Sequence, residues 1–312
     1  MITSNQLVVG YASNSEESVL LEDLNLQLRE GELVCFMGPN GIGKSTLLRT
    51  LAGLQKPLGG ELKGIEKGKL SLVLTDRITA TNMLVYDLVA YGRYPHLSWN
   101  ISLRDEDHRI IEEAIALTQI GHLKYKRLYQ LSDGQMQLVM IARALAQQTS
   151  VILLDEPTAH LDLNNRVEIM NLLRKLARQE RKAILVCTHE LDLALQTADW
   201  IWLATLNKKV VSGIPEDLVL NGSFDEVFQF KGFDLKTGKI EHEAHRNKPI
   251  QLIGEGYPYL WTKNALARCG YEVQEGAATV IQIQAKEKTI WQLGDRQLTS
   301  VADLIMALAE RQ

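Results

Sequence analysis

Short apolar runs alternate with amphipathic stretches along most of the chain. The runs "ELVCFM", "KLSLVLT", "SVILLDE" and "KAILVCTHE" have the length and composition of buried β-strands. Further short strands are predicted near the N-terminus in "QLVVGY" and "SVLLEDLNLQLREGE". Between the runs, "KSTLLRTLAGL" and "NRVEIMNLLRKLARQE" place apolar residues at helical spacing. The pattern predicts an α/β domain over residues 1–242.

A block at about residues 80–147 lacks the strand pattern and is predicted to be helical. Its first stretch, "LVYDLVAYGRYPHLSW", is expected to be helical and then irregular at Pro95. Ser102 and Asp105 have the spacing of a capping box ahead of "HRIIEEAIALTQI". Four apolar residues of that helix share one face: Ile110, Ile111, Ala114 and Ile115. The block is therefore expected to form a helical subdomain that interrupts the α/β pattern.

A second unit is predicted after residue 242, beyond the polar stretch "EHEAHRNKP". Successive segments from "IQLIGEG" to "SVADLIMALAE" follow strand and helix patterns in the order β-α-β-β-β-α. Four residues of the last helix fall on one face and should pack on the small sheet: Val301, Leu304, Ile305 and Leu308. Residues 243–312 are thus expected to form a small α+β domain.

Composition and charge narrow the classes of partner. The 312 residues are 46% hydrophobic and 23% charged, with a net charge of −4, as in ordinary globular proteins. No run of basic residues is present, which argues against a nucleic-acid partner. Cys35, Cys187 and Cys269 are scattered without CxxC spacing, and we expect them to be reduced core residues of a cytosolic protein. Because no signal pattern or long apolar run occurs, any membrane role is expected to be peripheral.

The segment "GPNGIGKST", Gly38–Thr46, fits the phosphate-loop pattern G-x-x-x-x-G-K-[ST] between a predicted strand and a predicted helix. Backbone N–H groups in such a loop converge on phosphate oxygens, and the helix dipole assists them. Lys44 would reach the β- and γ-phosphates, and the Ser45 hydroxyl would ligate Mg²⁺. The candidate ATP-binding residues of the loop are Gly38, Pro39, Asn40, Gly41, Gly43, Lys44, Ser45 and Thr46. The alternative is a glycine-rich turn that binds nothing.

Two acidic residues, Asp155 and Glu156, end the strand in "VILLDEP". One carboxylate could hold Mg²⁺ through water while its neighbour polarises an attacking water. Two adjacent acids at a strand end are weak evidence for such a site when taken alone. The phosphate loop upstream is what favours the interpretation that they bind Mg²⁺ and polarise water. His189 follows another apolar strand in "VCTHE", where it could hydrogen-bond a γ-phosphate and the attacking water. Taken alone, a histidine there is more typical of a plain strand end.

Together with "LSDGQ", these motifs resemble the ATP-binding subunit of ABC transporters over about residues 5–230. The pentapeptide is similar to the signature motif of that family, which is usually LSGGQ. The resemblance implies that Ser132, Gly134 and Gln135 contact the γ-phosphate held by a partner subunit, in a head-to-tail homodimer that sandwiches two ATP molecules. A hydroxyl and a backbone N–H at a helix N-terminus are suitable donors to a phosphate. The alternative is a plain helix cap made by Ser132 or Asp133.

The same resemblance implies roles for four further residues. Glu156 takes the position of the general base, and His189 takes that of the switch histidine. Asp162, in "AHLD" after Pro157, matches the D-loop that organises the opposite site across the dimer. Tyr11 lies where the family stacks an aromatic residue on adenine, and the alternative is a surface tyrosine.

The segment Tyr91–Pro95 is similar to one in the ATPases of importers for iron-siderophore, haem and cobalamin complexes. The resemblance implies an ATPase that dimerises on binding ATP with Mg²⁺. It would drive a multi-span membrane permease, served by a substrate-binding protein, from the cytoplasmic face of the membrane. The helical block would receive the coupling helix of the permease, and the alternative is that Arg93 and Tyr94 form a plain solvated surface. The rival functions are a non-transport ABC ATPase and a nucleotide-responsive module with little turnover.

Three features depart from the family pattern. Asp133 stands where the signature normally has glycine, so it brings a carboxylate near a polyphosphate. Thr75 and Asp76 stand where the family has the Q-loop glutamine that contacts Mg²⁺ and senses the permease. Either residue is a candidate metal ligand, and the alternative is a plain turn. The small C-terminal domain has no counterpart in the minimal family domain.

Overall fold

The computed structural model describes residues 1–12, 17–64, 69–74, 82–97, 102–228, 233–234, 239–240, 248–285 and 289–310. The chain separates into two compact units, Met1–Gln229 and Phe230–Gln312. The domain boundary predicted at 242/243 lies outside the described residues, as do Thr75 and Asp76. Within the described ranges, no helix is both long enough and apolar enough to span a membrane.

The strands of the first unit form two sheets. Their bounds are β1 (Ile2–Ala12), β2 (Glu17–Leu24), β3 (Gln27–Leu28), β4 (Leu33–Met37), β5 (Gly59–Lys63), β6 (Leu70–Val73), β7 (Val151–Asp155), β8 (Ala183–Cys187), β9 (Trp200–Ala204) and β10 (Val210–Gly213). In the smaller sheet, β1 pairs antiparallel with β2, β3 and β5. The larger sheet has the order β10-β9-β4-β8-β7-β6, and the neighbours from β9 to β6 are parallel.

Helices connect these strands and form the predicted helical block. Their bounds are α1 (Lys44–Leu51), α2 (Val85–Ala90), α3 (Asp105–Leu117), α4 (Asp133–Ala146), α5 (Leu163–Gln179), α6 (Leu191–Thr197), α7 (Pro215–Leu220) and α8 (Ser223–Phe228). Short 3-10 turns occupy Tyr91–His96, Gly121–Leu123 and Leu128–Gln130. The apolar face predicted for α3 is confirmed, because its four residues are buried: Ile110, Ile111, Ala114 and Ile115.

The central strands β4, β8 and β7 are buried along their whole length. Their apolar sequences suit parallel strands that are covered on both faces. In the register of the sheet, Cys187 of β8 lies beside Phe36 of β4 on one side and Asp155 of β7 on the other. The carboxyl ends of parallel strands meet at one edge, where ligands of α/β proteins bind. The predicted α/β fold is thus confirmed, and the segments that follow these three strands share one edge.

A buried ion pair holds the helical block together. Arg93 is only 5% exposed, and its Nε donates to Asp107 Oδ1 at 2.8 Å. Its Nη1 donates at 2.9 Å to the carbonyl of Ala146, at the C-terminal end of α4. The alternative of a solvated surface is therefore wrong for Arg93. Tyr94, in contrast, stacks on Tyr91 with a ring-centre distance of 4.9 Å, and both residues are about half exposed.

The predicted start of α3 is wrong by two residues. The helix begins at Asp105, and the residue before it is Arg104 rather than Ser102. The carboxylate of Asp107 accepts the Arg104 N–H at 3.0 Å, so it satisfies the free end of the helix. Hydrogen bonds from Arg104 and Arg93 lower the pKa of Asp107. The buried arginine therefore selects this cap over the one that sequence spacing favours.

The prediction that the chain becomes irregular at Pro95 is wrong for Pro95 and His96, because the 3-10 turn includes both residues. Leu97 belongs to no helix or strand, and the rest of the predicted irregular segment lies outside the described residues. Proline has a fixed φ near −65°, which suits such a turn, and it lacks only the N–H donor. The helical path therefore continues from α2 to the end of the turn.

The second unit contains a five-stranded sheet with helices α9 (Gly256–Arg268) and α10 (Val301–Ala309). Its strands are β11 (Phe233–Asp234), β12 (Lys239–Ile240), β13 (Lys248–Ile253), β14 (Tyr271–Val273), β15 (Val280–Ala285), β16 (Thr289–Leu293) and β17 (Arg296–Leu298). β11 pairs with β12, and the other strands have the order β14-β13-β15-β16-β17. The predicted order is confirmed from β13 to β16 and at α10, whose Leu304 and Leu308 are buried. The prediction missed β17, which has only three residues and pairs with β16.

Candidate functional site

The phosphate loop lies between β4 and α1 and encloses the Lys44 side chain. Gly43, just before the helix, has a φ of 111°, and an added Cβ would lie 3.1 Å from Leu20 Cβ. A side chain there would be both strained and crowded. Lys44 is buried, and its Nζ donates to the carbonyls of Gly38 at 3.0 Å and Pro39 at 3.3 Å. The ammonium group is thus held inside the loop at a helix N-terminus, the position that suits binding of a phosphate.

Ser45 and Asp155 meet at the same edge. The Ser45 hydroxyl, in the first turn of α1, hydrogen-bonds to the carboxylate of Asp155 at the end of β7. Burial raises the pKa of Asp155, and the bond from Ser45 partly opposes the rise. Hydroxyl and carboxylate oxygens are ligands that Mg²⁺ prefers, and Mg²⁺ bound with a nucleotide needs only one or two of them from the protein. The pair fits such an ion, and the described residues contain no larger cluster of His, Cys, Asp or Glu.

Glu156 and His189 approach each other beside this pair. Glu156 has a φ of 45°, which residues other than glycine rarely adopt, and its N–H donates to the Cys187 carbonyl at 2.9 Å. His189 follows β8, and its Nδ1 lies 3.5 Å from Glu156 Oε2. The imidazole is about half exposed. A carboxylate on a fixed backbone can take a proton from water, and an accessible imidazole can donate a hydrogen bond to an anion.

Tyr11 lies against the start of α1. Its hydroxyl shares a hydrogen bond of 2.8 Å with Thr46 Oγ1. Thr46 is buried, whereas Tyr11 is 51% exposed. The tyrosine is therefore anchored at its hydroxyl and accessible elsewhere, and its stacking on adenine stays a prediction.

The signature segment starts α4 with a capping box. The Ser132 Oγ accepts the Gln135 N–H at 3.3 Å, and Gln135 Oε1 accepts the Ser132 N–H at 3.2 Å. Ser132 is therefore a helix cap, and this use of its lone pair leaves its O–H able to donate. Among the residues that the structure describes, no hydrogen bond or ion pair joins residues 132–135 to the phosphate loop.

The start of α5 lies against the signature segment. Asp162 caps α5, because its Oδ1 accepts the Asn165 N–H at 2.9 Å and its Oδ2 accepts from Asn165 Nδ2 at 2.7 Å. Asn165 in turn packs on Gly134, where an added Cβ would lie 2.9 Å from Asn165 Cγ. A larger residue at position 134 would therefore displace the Asn165 side chain. The structure brings the predicted D-loop and signature residues together.

Two charged residues near His189, Glu190 and Arg166, were missed by the sequence predictions. Glu190 Oε1 lies 3.6 Å from His189 Nε2 and 2.8 Å from Arg166 Nη1. Glu190 could have been noticed as an acid directly beside His189, and Arg166 lies one helical turn after Asp162. No sequence pattern pairs the two, since they are 24 residues apart, with Arg166 in α5 and Glu190 directly before α6.

Two parts of the chain match known family models, and relatives match most of its length. Residues 21–159 match the family model described as ABC transporter, and residues 247–309 match the one described as iron ABC transporter C-terminal domain. An uncharacterised ABC transporter ATP-binding protein of Methanocaldococcus jannaschii is 37% identical over 82% of this chain and 92% of its own length. The iron(3+)-hydroxamate import ATP-binding protein FhuC of Bacillus subtilis is 32% identical over 80% of this chain and 94% of its own.

A solved structure gives the same result. A bacterial ABC transporter cassette in dimeric form aligns with a TM-score of 0.58 and 26% identity, over 69% of this chain and 99% of the cassette. The second family match also gives the C-terminal unit a counterpart that the minimal cassette does not offer. The chain belongs to the family of ABC transporter ATP-binding proteins.

Proposed function

We propose that this chain is the ATP-hydrolysing subunit of a membrane importer for an iron-siderophore, haem or cobalamin complex. The import relative and the iron-type C-terminal match support this class of cargo, as does the segment Tyr91–Pro95. One observation carries the assignment of hydrolysis. The Ser45–Asp155 bond, with Glu156 directly following, supports the assignment, because a hydroxyl and two carboxylates at one sheet edge could supply two metal ligands and a base.

Phosphate binding rests on the loop and on Lys44. The backbone N–H groups of Gly41, Gly43 and the first turn of α1 would hold the phosphate oxygens, with the Lys44 ammonium among them. Ser45 and Asp155 would hold Mg²⁺, which when bound neutralises charge on the β- and γ-phosphates. Tyr11 would stack on the adenine ring beside α1.

Glu156 acts as the general base of the proposed reaction. Its carboxylate takes the proton of the attacking water, while the hydrogen bond to the Cys187 carbonyl holds its backbone in place. Such a left-handed backbone costs energy and persists because the surrounding strands fix it. His189, 3.5 Å from this carboxylate, would orient the water and the γ-phosphate.

The second half of each site is supplied by a second copy of the chain. Ser132 can donate its O–H, and Gly134 its N–H, to the γ-phosphate of the partner's ATP. Asn165 lies against Gly134 and hydrogen-bonds to Asp162. The signature and the D-loop would therefore contact the partner chain as one connected surface. The dimeric cassette, at 26% identity, supports this homodimer.

The helical block is the proposed docking surface for the permease, on the cytoplasmic face of the membrane. Tyr91 and Tyr94 present a stacked, half-exposed aromatic pair there. Arg93, between the two tyrosines in sequence, binds the C-terminal end of α4. A displacement of the tyrosine pair by the permease would therefore be transmitted to the helix that begins with the signature. A substrate-binding protein would deliver the cargo on the other side.

Hydrolysis in the presence of a permease tests this function. We expect the purified chain to hydrolyse ATP with Mg²⁺ and to co-purify with a multi-span membrane protein. Tight ATP binding without turnover would instead indicate a nucleotide-responsive module, and turnover with no membrane partner would indicate a non-transport ATPase.

A further inference from the structure

Arg166 links two segments that border the site. It lies in the first turn of α5, and its Nε donates to the Leu161 carbonyl at 2.6 Å. Its Nη1 lies 2.8 Å from Glu190 Oε1 and donates to Glu190 Oε2 at 2.9 Å. One guanidinium group therefore holds both the loop that ends at Asp162 and the residue that follows His189.

The carboxylate that Arg166 binds also faces His189. Glu190 Oε1 lies 3.6 Å from His189 Nε2, and Glu156 Oε2 lies 3.5 Å from His189 Nδ1. The imidazole thus lies between two carboxylates, and the same oxygen of Glu190 faces both the imidazole and the guanidinium. The Glu190 side chain is 18% exposed, so its orientation depends on these neighbours. The Glu190 N–H is fixed separately, by Thr188 Oγ1 at 3.0 Å.

We propose that Arg166 is a positioning residue for ATP hydrolysis, which acts by holding Glu190 beside His189. This inference rests on the proposed function, because it requires His189 to take part in hydrolysis. The planar guanidinium group can bind a carboxylate and a carbonyl at once, so it ties the orientation of Glu190 to the position of Leu161. When Arg166 is absent, Glu190 turns away or pairs elsewhere, and His189 loses one of the two groups that fix its ring.

A purely structural role for Arg166 would be to join α5 to α6, and the chain offers a matched control for it. Arg174 lies on α5 as well, and its Nη1 donates to the carbonyls of Gln196 at 3.0 Å and Thr197 at 3.3 Å, at the end of α6. Arg174→Met therefore removes a link between the same two helices without touching Glu190. The Arg166 side chain is partly exposed, and the hydrogen bond from Arg174 to Gln196 lies at the surface. We therefore expect both variants to fold.

The test compares kcat and KM for ATP, with Mg²⁺, and the Tm of the full-length chain and its variants. Arg166→Met should lower kcat by about tenfold and change KM by less than about twofold, since misplacing a positioned group affects the chemical step more than binding. Arg174→Met should have the kcat of the wild type at a similar Tm. Glu190→Gln should lower kcat, and adding Arg166→Met to it should lower kcat no further, because the two residues act as one unit.

Equal kcat values for Arg166→Met and Arg174→Met would overturn the inference. Independent, multiplied effects of Arg166→Met and Glu190→Gln would also overturn it. His189→Ala separates this failure from failure of the proposed function. A normal kcat for His189→Ala removes the histidine from the reaction and the inference with it, whereas an inactive His189→Ala with a normal Arg166→Met refutes the inference alone.

Discussion

Two helices of the first unit, α1 and α4, begin with groups that suit a phosphate, and their surroundings differ. The start of α1 carries the buried ammonium of Lys44 and the hydrogen-bonded pair of Ser45 with Asp155. The start of α4 carries the Ser132 cap, and against it lies Asn165, which binds Asp162. The two helix starts thus carry different groups, and in the proposed head-to-tail dimer one start from each chain would form a single site. We call the start of α1 with Ser45, Asp155 and Glu156 the α1 half of this proposed site, and the start of α4 the α4 half.

The starts of α1 and α4 also differ in charge, because only α4 has an acidic residue, Asp133, in its first turn. An acid in the first turn of a helix is favourable, because it faces the positive end of the helix dipole. Near a triphosphate the same carboxylate is repulsive. The residue therefore suits the start of α4 in the separate chain, and in the proposed dimer its charge would oppose closure on a triphosphate. The first turn of α1 contains no acid.

The largest expected effect comes from removing the base at the α1 half. Glu156→Gln keeps the shape of the side chain and should lower turnover by about 10² to 10⁴-fold, the scale of losing a general base. ATP binding should persist and the closed dimer should accumulate, as measured by size-exclusion chromatography with ATP. Glu168→Gln, at an exposed position of α5, is the matched control. Near-normal hydrolysis by Glu156→Gln would reject the role of Glu156.

The next largest effect should come from the far end of α4. Arg93→Met leaves Asp107 buried without its partner, which typically costs about 3 to 5 kcal/mol of folding free energy. The loss should appear in urea unfolding and should reduce hydrolysis more than ATP binding, because α1 is intact. Arg109→Met breaks an exposed ion pair on α3 and should change stability by less than about 1 kcal/mol. An equal effect of the two variants would show that Arg93 does not hold the block together.

A smaller effect, on stability, should come from Asp155 in the α1 half. Burial raises the pKa of this carboxyl in the folded state, so its ionisation opposes folding as pH rises above the ordinary value of about 3.9. Without nucleotide and metal, Asp155→Asn should therefore have a higher Tm than the wild type at neutral pH. The difference should shrink as pH falls toward that value. A lower Tm for the variant at neutral pH would contradict this account of the site.

The smallest effect is expected from the C-terminal unit, which has its own sheet and its own hydrophobic core. Truncation after residue 242 should leave ATP turnover per chain unchanged, because the predicted nucleotide and signature residues all precede residue 190. We expect any effect of the truncation to be on assembly with other subunits or on regulation of the ATPase. Loss of ATP binding in a truncated chain that remains folded would show that this unit contributes to the site.

The α1 half of the site could be predicted from sequence more fully than the α4 half. Uninterrupted apolar runs identify β4, β7 and β8, and the glycines before Lys44 have a spacing that only a phosphate loop requires. The contacts of α4 depend on residues distant in sequence. The N-cap of α3 is Arg104, whose N–H donates to Asp107, and Arg93 binds the same carboxylate. Helix-capping patterns in the sequence do not include a contact with a residue as distant as Arg93. The pairing of Arg166 with Glu190 was hidden for the same reason.

In the C-terminal unit, the apolar residues of a strand decided what could be predicted. β14 and β17 have three residues each, but β14 contributes Tyr271 and Val273 to the core, whereas only Leu298 of β17 contacts it. A strand with a single apolar residue has no alternation to detect, and its pairing with β16 defines it.

Mixing two inactive variants tests the central claim, that the α1 and α4 halves act across two chains. Lys44→Ala disables the α1 half, and Ser132→Arg disables the α4 half. Co-expressed, the two chains should form heterodimers in which one composite site has both defects and the other is intact. If the site forms between two chains, the mixture should hydrolyse ATP well above the mean of the two variants measured alone. Hydrolysis that never exceeds this mean, in samples shown to contain the heterodimer, would contradict it.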